Sequence, residues 1–542
     1  MSVAREMTGP PQQQQRPARS LGAVSGWRAY GFAAVLGAIA GLAFAPLNFV
    51  PAFALGLSGL LWLAAEAPRR RQAFAVGWWW GLGHFAVNSY WIAESFLVDA
   101  ERFGWMIPPV LGGLAAYLAL YPALATLAFR LLPAGNSGGR LSVAGIAAFA
   151  AFWTIAEWLR GHVLTGYPWD LAAYIWNGSD AMMQSASLWG AWGLGLVTVF
   201  ALALPALFVT ADRRAARNAV IGIAVVLGGL YLGGSWRLSN AIPTSQAGDA
   251  AAERSAVHVR LIQPNIAQSL KLSSESRADQ IEKLMRLTLD TPGFDRVQAV
   301  IWPETAVNFL LERDSNLRRI LSQAVPPGGM LLTGAPRGEP LDGPLTAIWN
   351  SFAVMNDQGQ ILGTADKFHL VPLGEYVPLR ELFPFINKLT PGSMNFTPGP
   401  GPRTLHTPGL PPFSPLICYE VIFPGAVVDS ADRPALLVNV TNDGWFGTST
   451  GPSQHFATAR FRSVEEGIPM LRAANTGISG VIDAYGRVEK RSDLVVEAVI
   501  DATVPPALPP TPFARFGLLA VLPLIVLALI PILFRVRKPA IS

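Results

Sequence analysis

Apolar residues run through this chain in long blocks rather than in alternation. Between about residues 28 and 238 they form seven stretches: 28–47, 49–65, 73–95, 106–129, 141–159, 185–210 and 218–236. An eighth, FGLLAVLPLIVLALIPILF, covers 516–534. Each is near the ~20 residues that a helix needs to cross a hydrocarbon core. The polar breaks alternate in character. Arg5, Arg16, Arg19 and Arg28 precede the first stretch. Arg69, Arg70 and Arg71 follow the second, Arg130 and Arg140 the fourth, Arg213, Arg214 and Arg217 the sixth, and Arg535, Arg537 and Lys538 the eighth. The other connections, such as ESFLVDAER and GYPWDLAAYIWNGSD, are acidic and aromatic. Basic connections mark the cytoplasmic side, so the pattern predicts eight spans, both termini inside, and the segment between spans seven and eight outside.

That segment changes period. Short β-branched or apolar runs (AVHVRLIQPN, VQAVIWPE, GMLLTGAP, SFAVMN, FSPLICYE, ALLVNVTND, SGVIDA) end in turn residues. SRADQIEKLMRLTLD and HFATARFRSVEEGI have helical spacing. This predicts an α/β layered domain of mixed strand order. The organisation expected is a disordered tail over 1–24, seven helices over 25–238, a linker over 239–255, the α/β domain over 256–504, a Pro-rich linker over 505–515, the eighth helix over 516–534 and a tail over 535–542.

Composition agrees with a membrane assignment. Of 542 residues 51% are hydrophobic and only 14% charged, against about 25% charged in soluble domains. The net charge of +5 comes from short arginine clusters between apolar runs, not from the patch or stripe of a nucleic-acid binder. One cysteine, Cys418, excludes an intramolecular disulfide and a cysteine-cluster metal site. The histidines lack ligand spacing such as HExxH, so no metal or cofactor is expected.

Three reactive residues fall at the ends of β runs: Glu304 in VIWPETA, Lys367 in ILGTADKF and Cys418 in PLICYE. Ligands collect beyond the carboxyl ends of strands in α/β sheets, so the three are placed to converge. A cation lowers a thiol's pKa and can hold an oxyanion; a carboxylate can take the thiol proton. Together they suffice for covalent acyl transfer. The residues alone leave other readings open. A lone thiol after an apolar run is commonly a buried small hydrophobe, and a single Lys or Glu is commonly a solvated charge.

WPETA, DKFHLVPLGEYVP, CYEVIFP, NVTNDGWFG and RAANTGISGVIDAYGRV, in that order, resemble the nitrilase-like domain of the apolipoprotein N-acyltransferase family. GAIAGLAFAPLNFVPAF, WIAES, EWLRG and TGYPWD extend the resemblance over nearly the whole chain. It implies an αββα sandwich beside the membrane helices and a Glu304–Lys367–Cys418 triad. It implies a multi-pass protein of the bacterial inner membrane with a periplasmic catalytic domain. The implied reaction passes an acyl chain from a phospholipid, typically phosphatidylethanolamine, through a cysteine thioester to the α-amine of a diacylated apolipoprotein. Glu375 is implied to hold Lys367 or Glu304, Tyr419 to supply an oxyanion-hole N–H and a pocket wall, and Glu420 to orient the lysine or cap a turn. Trp445 and Phe446 line an acyl pocket or pack the core. Some family members carry Trp where this chain has Leu272. Leu382, Phe383, Phe385 and Ile386 suit an interfacial lid or domain packing. A monomer is the simplest assembly. Two alternatives stand beside this reading: a membrane-tethered hydrolase of a small amide or nitrile, and a non-catalytic scaffold or channel, against which speaks the lack of an ionisable track in the spans.

Overall fold

The computed structural model of the chain describes residues 26–132, 141–209, 213–241, 256–272, 275–378, 381, 388–390, 392 and 394–536. The expected tail over 1–24, nearly all of the linker over 239–255, Leu382, Phe383, Phe385 and Ile386 lie outside them, as does the side chain of Leu272.

All eight apolar stretches contain helix. By length and composition, four of the described helices suffice to cross a membrane: Ala100–Leu131, Val143–His162, Ala186–Val209 and Arg213–Ser239. The bent pair Pro512–Ala520 and Leu522–Pro531 makes a fifth if it is one span. Trp27–Ala43 and Val50–Glu66 are shorter. Arg70–Asn88 carries Arg71, Gln72, His84 and Asn88 within its length. These criteria therefore support four or five spans rather than the eight expected. The helices share one apolar core around Leu57, Leu61, Trp80, Phe149, Trp192 and Val199.

One span does contain ionisable groups. Glu157 and Arg160 are both buried in helix Val143–His162. They form a clasp rather than a track. Arg160 Nη1 donates to Tyr167 O at 3.0 Å and Trp169 O at 2.5 Å, while Glu157 Oε1 accepts from Ala172 N at 2.9 Å. The charges thus fix the loop that leaves this helix.

The α/β part holds eleven strands among the described residues: β1 (His258–Gln263), β2 (Ala299–Ile301), β3 (Met330–Glu339), β4 (Ala347–Asn356), β5 (Ile361–Asp366), β6 (Phe413–Ile417), β7 (Leu436–Thr441), β8 (Met470–Ala474), β9 (Gly480–Ile482), β10 (Val488–Arg491) and β11 (Ala498–Thr503). One sheet has the order β11-β1-β2-β3-β4-β5, the other β10-β9-β8-β7-β6. β1, β2 and β3 run parallel, as do β6, β7 and β8, and the flanking strands are antiparallel. Side chains alternate between faces, as the strand period of two requires. Leu261, Ile301 and Leu332 meet Phe413, Val438 and Leu471 between the sheets. Ile262, Val300 and Leu331 point outward onto helices Arg277–Leu289 and Ser315–Leu321.

The outer helix of the second sheet, Gly451–Glu466, is buried on every side: only Ser453 escapes burial. Phe456 and Ala459 pack on the sheet, while Phe461 and Val464 enter the core of the membrane helices. Its polar residues are matched across that contact. Trp169 Nε1 donates to Gln454 Oε1 at 2.8 Å, Ala191 N to Glu465 Oε1 at 2.6 Å, and Arg462 Nη2 to Tyr174 OH at 3.1 Å. Arg460 donates to Asn177 O at 2.7 Å and Gly486 O at 2.9 Å and pairs with Asp180. The helix ends at Gly467, whose φ of +68° is the left-handed C-terminal position that favours glycine.

Arg460→Ala strips these contacts and strands buried carbonyls. It is expected to destabilise the protein by about 2–4 kcal/mol, read as a lower Tm in detergent together with faster proteolysis near Asn177–Asp180. A change under about 0.5 kcal/mol, the range of an inert surface substitution, would show that Arg460 does not hold the two halves together.

Candidate active site

Three strands deliver the three reactive residues to one end of the sandwich. β2 leads to Glu304 within three residues, β5 runs directly into Lys367, and β6 directly into Cys418. β3 is parallel to β2, β4 antiparallel to β3 and β5 antiparallel to β4, so β2 and β5 point the same way. β4 starts at that end and places Asn350 there.

Lys367 is the hub. Its Nζ lies 3.1 Å from Glu375 Oε1 and 3.4 Å from Glu304 Oε1. Asn350 Nδ2 donates to the same two oxygens, at 2.8 Å each, and Val371 N donates to Glu375 Oε2 at 2.8 Å. All four side chains are buried. Burial by itself would lower the lysine's pKa; the carboxylates of Glu375 and Glu304 outweigh it and hold the ammonium well above its ordinary value.

Cys418 opens the turn Cys418–Ile422 with φ at +52°. Thr305, Leu373 and Asn265, all close in sequence to site residues, also have positive φ, at 48°, 62° and 48°. Such conformations cost about 1–3 kcal/mol each and collect where function needs them. The Cys418 thiol is buried, which pushes its pKa up; Glu304 adds to the rise and Lys367 opposes it, leaving it at about 12. The resting thiol is therefore protonated, and a base must remove the proton.

The neighbours of Cys418 brace it. Glu420 Oε2 accepts from Ile417 N at 2.6 Å, and Oε1 accepts from Phe368 N at 2.6 Å. One carboxylate thus caps the cysteine turn and joins it to the backbone after Lys367. Burial raises its pKa to about 8 against those N–H donors. Tyr419 OH donates to Gly166 O at 3.1 Å, so its ring leans on the loop fixed by Arg160. Phe446 packs at 4.5 Å centroid distance on Trp91, and Trp445 O accepts from Ser95 Oγ at 2.9 Å. Both lie where the sandwich meets the membrane helices.

Sequence reasoning missed part of the site. His455, one of the histidines without ligand spacing, sets Nε2 3.2 Å from Cys418 O and Nδ1 2.9 Å from Asp443 Oδ1. Arg472 Nη2 holds Asp443 Oδ2 at 2.8 Å. Burial would raise the Asp443 pKa, but Arg472 and His455 bring it down to about 2. Asn350 and Lys271 are also at the site. Lone polar residues inside or just after apolar runs carry no spacing signal, which is why they escaped notice.

The first part of the chain, residues 36–204, matches the apolipoprotein N-acyltransferase N-terminal domain, and residues 258–508 match the carbon-nitrogen hydrolase family. An apolipoprotein N-acyltransferase from Rhodopseudomonas palustris is 38% identical over 530 residues, covering 95% of this chain and 96% of the relative. Another, from Bradyrhizobium diazoefficiens, is 39% identical over 529 residues, covering 95% of each. The chain belongs to the apolipoprotein N-acyltransferase family. It is an enzyme of the carbon–nitrogen hydrolase superfamily. Among solved structures, an amidase from Nesterenkonia sp. aligns with 46% of this chain and 90% of its own, at 19% identity and a TM-score of 0.33. The family's N-terminal domain accounts for the helices whose loops touch Tyr419 and Trp445.

Gly334 in β3 shows how tightly Glu304 is seated. A Cβ there would overlap Thr305 N and lie 2.7 Å from Glu304 Cα. Gly334→Ala is expected to cost about 1–3 kcal/mol and to displace Glu304, with a larger loss in kcat than the stability change explains. Wild-type kcat in a folded Gly334→Ala protein would show that Glu304 does not need its present position.

Proposed function

We propose that this protein transfers an acyl chain from a membrane phospholipid, phosphatidylethanolamine by preference, to the α-amine of an S-diacylglyceryl-cysteine at an apolipoprotein N-terminus. The observation that carries the reading is a buried Cys418 at the strand ends with Lys367 held between two carboxylates, in a chain of this family. Glu304 takes the thiol proton. The thiolate attacks the ester carbonyl, and the oxyanion that forms is held by Lys367 Nζ and Tyr419 N–H. The ester C–O bond breaks, Glu304 returns its proton to the leaving alkoxide, and lysophospholipid departs from a Cys418 thioester. The acceptor amine attacks the thioester, gives a proton to Glu304, and forms the amide as the thiol is restored. Glu375 and Asn350 position Lys367 and Glu304. Glu420 joins the lysine loop to the cysteine turn. Trp445 and Phe446 line the path of the acyl chain beside Trp91.

On this reading the apolar helices, four or five of them long enough to span by length and composition, hold the chain in the bacterial inner membrane, with both termini cytoplasmic and the sandwich periplasmic. The contacts support this orientation. Ser95, Gly166, Asn177 and Gln184, which reach the sandwich, follow the third and fifth apolar stretches, whereas the arginine clusters follow the even ones. Tethering the thiol beside the bilayer raises its effective concentration toward lipid substrates. The enzyme acts as a monomer with no metal or cofactor.

Incubation of the purified protein with phosphatidylethanolamine alone should add one acyl mass to Cys418, and a diacylated lipopeptide should remove it. Cys418→Ala should abolish both steps without unfolding the protein. No adduct under single-turnover trapping, or turnover of small amides without acyl transfer, would overturn the reading.

Glu304→Gln separates electrostatics from proton transfer. Losing the Glu304 charge removes one cause of the raised thiol pKa, so Cys418 should alkylate faster with iodoacetamide at a given pH above neutrality. Acyl transfer should still fall by about 10²–10⁴-fold, the usual worth of a general base. Retained transfer would exclude Glu304 as that base.

A further inference from the structure

One buried cation at the strand ends is left over by this mechanism. Lys271 lies in the short helix Gln268–Leu272, and its Nζ donates to the backbone carbonyl of Glu304 at 2.7 Å. The residue is buried. The same helix is tied on both sides. Gln268 Oε1 accepts from Asn442 Nδ2 at 2.8 Å, just past β7, and Lys271 O accepts from Asn308 Nδ2 at 3.1 Å, just past Glu304. Lys271 thus grips the point where the chain turns through Thr305 at positive φ.

The charges at the site give this ammonium a second task. Lys367 is one cation facing two carboxylates, Glu304 and Glu375. Glu420 is met by backbone N–H groups and Asp443 by Arg472. The Lys367 group is therefore one negative charge in excess before any thiolate forms. Lys271 is near enough to Glu304 and Cys418 for both to act on it: burial pulls its pKa down to about 8, against the Glu304 carboxylate and any thiolate on Cys418. The titratable groups facing the thiol are Glu304, Lys367, Asp443 and Lys271. Of the two lysines, only Lys271 is not shared between carboxylates.

We propose that Lys271 is a positioning residue for acyl transfer, its ammonium fixing the Glu304 carbonyl and offsetting the excess negative charge of the site as that charge passes from Glu304 to Cys418. The inference rests on the thioester mechanism above. Lys271→Gln keeps a hydrogen-bond donor without charge, and Lys271→Arg keeps the charge.

The test uses full-length protein in detergent. The alkylation rate of Cys418, the chain's only cysteine, is followed against pH with iodoacetamide and intact mass. Single-turnover acylation is followed with phosphatidylethanolamine. Loss of the neighbouring cation disfavours the thiolate, so below about pH 8, where Lys271 is charged, Lys271→Gln should alkylate about 10-fold more slowly than wild type, the two profiles converging at higher pH. Its acylation should fall by about 10–100-fold, and Lys271→Arg should stay within about 5-fold of wild type. An unchanged alkylation profile in folded Lys271→Gln, or failure of both variants to fold, overturns the assignment and leaves Lys271 a structural tie. Wild-type protein that acquires no acyl adduct points instead to failure of the mechanism itself.

Discussion

A single ammonium caught between two carboxylates in a water-poor interior organises this structure. Lys367 has Glu375 and Glu304 within ion-pair distance, and a buried charge of that kind is tolerated only when its partners are held in place. Asn350 does this by donating to both carboxylates at once. Because Asn350 belongs to β4, Lys367 follows β5 and Glu304 follows β2, three strands of the first sheet are locked in relative position by one side-chain network. Glu420 then extends the lock to the second sheet, since its two oxygens bind backbone on either side of the gap.

The second sheet depends on the membrane helices for the placement of its own outer helix. Gly451–Glu466 carries Arg460, Arg462, Glu465 and Glu466, all buried, a composition that suits a helix facing water. Arg460, Arg462 and Glu465 find partners in loops and helix ends of the membrane part, whereas Glu466 pairs with Arg433 of the sandwich. His455, on the same helix, contacts the Cys418 carbonyl. Docking and nucleophile geometry therefore share one rigid element. A displacement of the membrane part would be felt at Cys418 through a single helix. A two-domain chain with a flexible tether would have no such link.

Much of this was readable before the structure. The apolar blocks gave the helices. The change from long blocks to short β-branched runs marked the sandwich, and strand ends pointed to Glu304, Lys367 and Cys418. What stayed hidden has a common physical cause. β8 contains a fully buried arginine, Arg472, whose charge is neutralised by Asp443 and which also donates to Asn439; a charged residue in a short run argues against a core strand until its partner is known. Lys271, Asn350 and His455 likewise act through partners 33, 46 and 37 positions away in sequence. Compensation between distant residues has no local pattern. The same blindness affected the spans: Glu157 and Arg160 sit one turn apart in an apolar helix, and only the fold shows that they serve a loop.

The resting state of Cys418 bears on why such a site would favour transfer over hydrolysis. Its pKa, raised to about 12 by burial and by Glu304, means that the thiolate is scarce until a substrate is in place. A buried base beside a buried thiol exchanges its proton without net change of charge, so ionisation needs no counter-ion from solvent. The same burial that suppresses the thiolate also keeps water from a thioester. In the proposed reaction an acceptor bearing its own lipid would have access to the apolar surroundings that admit the donor, whereas water gains nothing from them. On this reading the membrane helices are part of the chemistry: by covering the second sheet they make the dry surroundings in which an acyl-enzyme can wait for an amine.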